Sequence, residues 1–358
     1  MASSSPPRPL APGDVVAVHS PYLGEWTAAQ IITLDGRYAG VLELDWSGPE
    51  PCDLADVALR PLVRTHHAWD NELSYCNQPW VLPRQFKILG NAPLLHDEPS
   101  RTYGGYWLIG LQLRAQRAWD NGIEDDDCPW AASFPASDLV ADPALTDVRI
   151  TDIAEFDCGR LVGMFPRLTD LALVGRLGSL INAERLNELT TLRRLEISDL
   201  YGMTAADCPL PARLPSLELI SLDGIPAEYA AAVRSAWKPE APQGVYLDIH
   251  AARKPEWVAE NLDNPLRDWD GRPHISAARY KKAVAAYKTA RRAVLAASSA
   301  EEFDRIGRAY AEAFNQLNSR TPFLDTADAE DLLDALSPLV EPWALESLHA
   351  GIEAVRDW

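Results

Sequence analysis

The stretch 189-LTTLRRLEISDLYGM-203 places Leu192, Leu195 and Ile197 at offsets of zero, three and five, which fits neither the helical period nor the plain alternation of a half-buried strand. The same L-x-x-L-x-L spacing recurs at Leu145/Val148/Ile150, Leu168/Leu171/Leu173 and Leu217/Ile220/Leu222, with starts 23, 24 and 25 residues apart. A degenerate fifth copy is expected 25 residues further on, at Pro242/Val245/Leu247, and an outlying strand upstream at Leu108/Leu111/Leu113. Three aliphatic side chains per copy would face a shared core while the residues between them face out. One unit alone would leave its apolar side wet, so the units are expected to stack as parallel strands.

In period and motif, residues 141–250 resemble the leucine-rich repeat family, whose units of 20 to 29 residues each pair a short strand with a turn or helix. The resemblance implies a short solenoid whose outward sheet face binds another protein. Its central column is expected to be Arg149, Ala172, Glu196, Ser221 and Tyr246, flanked by Asp147, Asp170, Arg194, Thr151, Ser198, Asp223 and Asp248. Three residues after the last aliphatic, where many members carry Asn or Cys, this chain has Ile153, Arg176, Leu200 and Ile225, which implies an irregular horseshoe. Segments such as GSLINAERLNELT, with Leu180, Ile181, Leu186 and Leu189 at near-helical spacing, should form the outer layer.

Ahead of the repeats, residues 12–63 read as four β-branched-rich runs (GDVVAVHSP, EWTAAQIITL, AGVLELDWSG, ADVALRPLV) separated by Gly, Pro and Asp turns, the pattern of a small antiparallel barrel. Gly13-Asp14-Val15, the strand from Trp26 to Ile31, Asp45-Trp46-Ser47-Gly48 and the closing Leu59-Arg60-Pro61-Leu62 resemble a Tudor-type, SH3-like domain. That resemblance implies an aromatic cage of Trp26 and Trp46, with Tyr22 or Tyr38 as further walls, able to hold a methylated cation. The opposing reading is that these aromatics plug the ends of a tiny barrel. Residues 64–140 are expected to be an irregular connector, and residues 1–11 a disordered leader.

Residues 251–358 turn helical. The stripe Tyr280, Val284, Tyr287 and Val294 shares its helix with Arg279, Lys281, Lys282, Lys288, Arg291 and Arg292, six cations without an acid. Glu301, Glu302, Asp304, Asp325, Asp328, Glu330, Asp331 and Asp334 follow and are expected to neutralise it by intramolecular pairing. Ser298-x-x-Glu301 reads as a capping box for a second helix carrying Phe303, Ile306, Tyr310, Phe314 and Leu317. Leu332, Leu333, Leu336 and Val340 indicate a third helix, and Pro342 opens a fourth.

The fold class expected is therefore α+β and multidomain: a small N-terminal barrel, a short irregular repeat solenoid with parallel strands, and a C-terminal helical domain. The 358 residues carry 33 basic and 52 acidic side chains, a formal charge of −19 that disfavours phosphate tracks and suits a basic protein partner. The expected setting is cytoplasmic and bacterial, with no membrane span or signal core and with five scattered cysteines that form no C-x-x-C.

No P-loop, G-x-G-x-x-G, G-x-S-x-G or H-E-x-x-H motif occurs. Glu124-Asp125-Asp126-Asp127 lacks the alternate ligand spacing and closing Glu of a calcium loop, and His66 and His67, adjacent and so poorly placed to share one ion, lack with Cys76 a third and fourth metal ligand at convincing spacing. The reading is an interaction protein with no cofactor and no metal. Its sharper form is an antitoxin or toxin-immunity protein masking a basic enzyme. The alternative is a hydrolase where barrel, connector and repeats meet, built on His19, His66, His67 and Asp70.

Overall fold

The structure is a computed structural model that describes residues 9–66, 69–104, 106–123, 132–319 and 321–358. The chain divides into two compact units, Met1–Lys254 and Pro255–Trp358. It is mixed α and β, with an antiparallel sheet, a six-stranded parallel sheet and a C-terminal helical region. Among the described residues no helix is long and apolar enough to cross a membrane.

The first unit opens with β1 (Asp14–Ser20), β2 (Glu25–Leu34) and β3 (Tyr38–Gly48), paired antiparallel in that order. The fourth strand expected from ADVALRPLV does not form. Asp53 and Asp56 make a capping box around a 3-10 turn at Leu54–Asp56, and Pro61, which has no N–H to give a ladder, makes a single bridge to Leu44. Only β4 (Val63–Arg64) follows, in a two-strand ribbon with β5 (Glu72–Leu73).

The antiparallel sheet is completed by β6 (Tyr75–Pro79) and β7 (Lys87–Asn91), giving the order β6-β3-β2-β1-β7. Both strands come from the stretch expected to be an irregular connector. The strand expected at 108–113 is instead a turn leading into helix α1 (Leu111–Asp120), opened by Gly110 at φ 95°. The helix formers of LQLRAQRAWD decide this, with Leu113 and Gln116 buried one turn apart.

The parallel sheet runs β13-β12-β11-β10-β9-β8, formed by β8 (Ala132–Pro135), β9 (Asp147–Asp157), β10 (Asp170–Ile181), β11 (Arg194–Tyr201), β12 (Leu219–Asp223) and β13 (Tyr246–Ile249). Between its strands lie α2 (Gly159–Met164), α3 (Ala227–Trp237) and 3-10 turns. Val148, Leu171, Leu195, Ile220 and Leu247 form one rung, and Ile150, Leu173, Ile197, Leu222 and Ile249 the next. The first four members of each rung lie in one core cluster that also takes in Phe165, Leu186, Tyr229 and Trp237. Ile181, expected in the outer layer, is instead 40% exposed.

The fifth expected copy is displaced. Leu247, not Val245, stands beside Ile220, because α3 and the 3-10 turn after it lengthen that connector by two residues. A left-handed residue recurs four positions past the first inward aliphatic, at Asp152, Asp199, Gly224 and Ala251, falling within β9 and β11 and just past the ends of β12 and β13. β10 departs from this with a bulge of two extra residues, and its backbone closes there only because Gly178 lacks a side chain: a Cβ would lie 1.8 Å from the Ile153 carbonyl oxygen.

The second unit contains α4 (Pro255–Asn261), α5 (Ala277–Val294), α6 (Ala300–Asn318), α7 (Thr326–Leu336) and α8 (Pro342–Glu353). Its core gathers Trp269, Tyr287, Phe303, Phe314, Leu332 and Leu348. Helices α6 and α8 meet backbone to backbone, since a Cβ on Gly307 would stand 2.2 Å from the Leu348 carbonyl oxygen. The capping box of α6 falls one residue later than expected, on Ser299 and Glu302. Ser299 has the extended backbone an N-cap needs, while Ser298 gives its own N–H to Glu302.

Candidate interaction surface

Strand pairing sorts the outward side chains of the parallel sheet into columns. One column is Arg149, Ala172, Glu196, Ser221 and Asp248, with Ser133 of β8 beside Arg149. The neighbouring column is Asp147, Asp170, Arg194, Leu219 and Tyr246. Tyr246 therefore does not end the central column; the two-residue shift of β13 puts Asp248 there. Past the second aliphatic rung, Val174, Ser198 and Asp223 continue the outward surface.

The two columns have different surroundings. Leu219 and Tyr246 pack into a cluster with Val16, Val18, Ile31, Val41, Tyr106 and Trp107, so the antiparallel sheet and the turn before α1 cover that end of the Asp147–Tyr246 column. Burial pushes the Tyr246 hydroxyl up, reinforced by Asp248 and Tyr38. Beside it Arg193 holds the buried Glu218 at 2.8 Å; burial raises that carboxyl and Arg193 opposes the rise. Arg194 is paired with Asp170, and burial raises Asp147 against the pull of Arg194. Glu196 and Asp223 are exposed, Arg149, Ala172, Ser221 and Asp248 half-buried, and Asp248 contacts His250. The open part of the face thus carries more acid than base: Arg194 is already paired, which leaves Arg149 as the basic member of the central column.

The four aromatics of the expected cage do not converge. Trp26 and Trp46 pack together on Val15, Ala17, Ala28, Leu44 and Val57, and Lys87 Nζ lies 4.6 Å from the Trp26 ring, so an internal cation uses that face. Tyr38 meets Tyr103 edge-on at 5.0 Å, while Tyr22 lines a small cavity with Arg193, Arg194 and Glu218.

His19 lies at that same cavity and edge-on to Trp26; His66 is buried where Gln116 Oε1 accepts its backbone N–H, and Asp70 is an exposed turn residue at φ 40°. The cavity measures about 20 Å³, room for one water and not for a substrate. Among the described cysteines, Cys52, Cys76, Cys158 and Cys208 are free, and burial pushes Cys158 up to about 12 and Cys208 to about 11. His67, Cys128 and the acidic run Glu124–Asp127 lie outside the described residues.

Sequence reading missed one cluster, His274, Asp325 and Asp328, whose ligand atoms lie within 4.8 Å of one another. His274 Nε2 is 2.8 Å from the fully buried Asp328, and Arg272 bonds the other Asp328 oxygen and, at 2.8 Å, Asp331. The guanidinium already supplies the positive charge a metal would bring, so the cluster reads as an ion-pair network fastening the 265–276 turn to α7. The available signal was the Asp325-x-x-Asp328 capping box with Arg272-x-His274 upstream. No protein-family model, curated protein or solved structure matches the chain.

Proposed function

We propose that this chain is a non-catalytic interaction protein that holds a basic partner protein on the open columns of a short leucine-rich-repeat-like solenoid, with the Tudor- or SH3-like antiparallel sheet closing one end of that face. The observation that carries the reading is the outward ladder Arg149, Ala172, Glu196, Ser221 and Asp248 held between two ladders of inward aliphatics. Backbone pairing fixes the spacing of such a ladder, so its side chains meet a partner with little further loss of conformational freedom. Exposed Glu196 and Asp223, with Asp248 beside them, give the ladder its sign and favour a partner bearing Lys or Arg.

The test is a photo-crosslinking amino acid at Ser221, compared with one at Arg185 on the opposite layer, in cells of the source organism. The reading predicts one basic protein crosslinked from Ser221 only, and its loss in the chain carrying Glu196→Lys with Asp223→Lys. Equal crosslinking from both positions, or capture that survives the charge reversal, overturns it.

A further inference from the structure

Helices α5 and α6 leave an open trough of about 720 Å³ between them. Its walls are largely methyl groups: Ala286, Ala290 and Ala293 on α5, Ala297 just past its end, and Ile306, Ala309 and Ala313 on α6, the helical members spaced three, four or seven residues apart on each helix. That spacing keeps one stripe of each helix facing the trough along its length. Small side chains leave room for another backbone to approach closely. Tyr310, on the same lining, is 2% exposed and its hydroxyl has no hydrogen-bond partner among the described residues. A buried hydroxyl in this state calls for an acceptor.

The rim carries positive charge in a chain whose formal charge is −19. Arg305 lines the trough, with Glu302 the acid beside it and engaged in its capping box; Arg279 and Lys282 line an adjoining hollow between the same helices that shares Ala286 and Ala313 with it. Lys281, Lys288 and Arg292 are exposed, and helical periodicity sets them along the outer lip of α5. Of the acids expected to neutralise these cations, Asp304 is used by Arg308, and Asp328 and Asp331 by Arg272. Among the described residues Lys281, Lys282, Lys288, Arg292 and Arg305 form no ion pair; the pair on α5 is Arg291 with Asp263, at 3.9 Å.

We propose that this trough is a docking groove for an acidic amphipathic helix of a partner protein, its small apolar face on the alanines and its carboxylates on the cationic rim. A second copy of the chain would bring like charge to like charge at this face. A phosphate or lipid surface would meet the cations but leave the methyl-lined floor unused. Screening acts over about 8–10 Å at physiological salt, so the local rim sets the attraction rather than the distant acidic surface.

The test uses the full chain and a fluorescein-labelled helical peptide of about 21 residues, long enough to run the length of α5, with Leu and Ala on one face and Glu elsewhere. Anisotropy should give a low-micromolar Kd, weaker by about tenfold or more for the same peptide with Lys in place of Glu. Ala293→Trp, which fills the trough, should abolish binding with circular dichroism unchanged. If that variant misfolds, Lys282→Glu with Lys288→Glu serves in its place and should cost about tenfold. Equal binding of both peptides, no binding of either, dimerisation that Ala293→Trp abolishes, or tighter binding to phosphatidylglycerol vesicles than to the acidic peptide would overturn the proposal.

Discussion

The parallel sheet and the helical unit solve the same problem, burying an apolar stripe, by different means. In the sheet, hydrogen bonds fix the spacing of neighbours, so like residues stack in rungs and what is left outside is a flat polar ladder, acidic where it is open. In the helices, shape alone sets the approach: α6 and α8 close to backbone contact at Gly307, while α5 and α6 stand apart over a methyl-lined trough with a basic rim. A sheet standardises its surface; a bundle leaves a surface as individual as its packing.

The largest test of this difference is a pair of substitutions. Gly178→Val drives a side chain into the Ile153 carbonyl and Gly307→Val drives one into the Leu348 carbonyl, and each should cost about 3 kcal/mol or more. Hydrogen exchange should lose protection within 132–254 for the first and within 255–358 for the second. Loss spread over both units from either variant would break the comparison.

Next in size is Arg272→Ala, which leaves buried Asp328 without its guanidinium partner and should destabilise the helical unit by about 3 kcal/mol, read by urea melts. The sheet rungs use no such ion pair.

The pH dependence of the two regions should run in opposite directions. Burial raises Glu218, so the folded state binds its proton more tightly than the unfolded chain does. Its contribution is fully present below the ordinary glutamate value and is lost as pH rises through the raised one. Glu302 and Asp325 are lowered by capping bonds to backbone N–H groups, so their contribution is present above the ordinary carboxylate values and is lost as pH falls through the lowered ones. Glu218→Gln should flatten the neutral limb of the stability profile and Glu302→Gln the acid limb, in urea melts from pH 3 to 8. A Glu218→Gln profile parallel to the parent's would refute the first sign. The smallest effect is Ser299→Ala, which removes the N-cap of α6 for about 1 kcal/mol.

Much of this architecture was legible in the sequence where contacts are local or periodic. The aliphatic slots from Val148 to Leu222 are inward in the sheet, and the helix at Pro342 begins where its Pro signal stands. What was not legible depends on distant partners. YCNQP and KILGN become β6 and β7 only because β3 and β1 offer open edges, and nothing in their own alternation marks them as strands. The register of β13 was missed because a repeat of constant length was extended across a connector that holds a full helix. The cover over Leu219 and Tyr246 comes from Tyr106 and Trp107, more than 100 residues away in the chain. The Asp328 network was missed for the same reason: His274 and Arg272 reach it across 54 and 56 residues.

The recurring left-handed residues at Asp152, Asp199, Gly224 and Ala251 have a consequence for how such a molecule can change. Because this left-handed position stands at a fixed distance past the first inward aliphatic of β9, β11, β12 and β13, rungs stay level although successive repeats differ in length, from 23 to 27 residues between equivalent positions. Insertions and deletions are absorbed on the rear of the sheet without tilting the front. The outward side and the supporting side of this sheet are therefore separately editable.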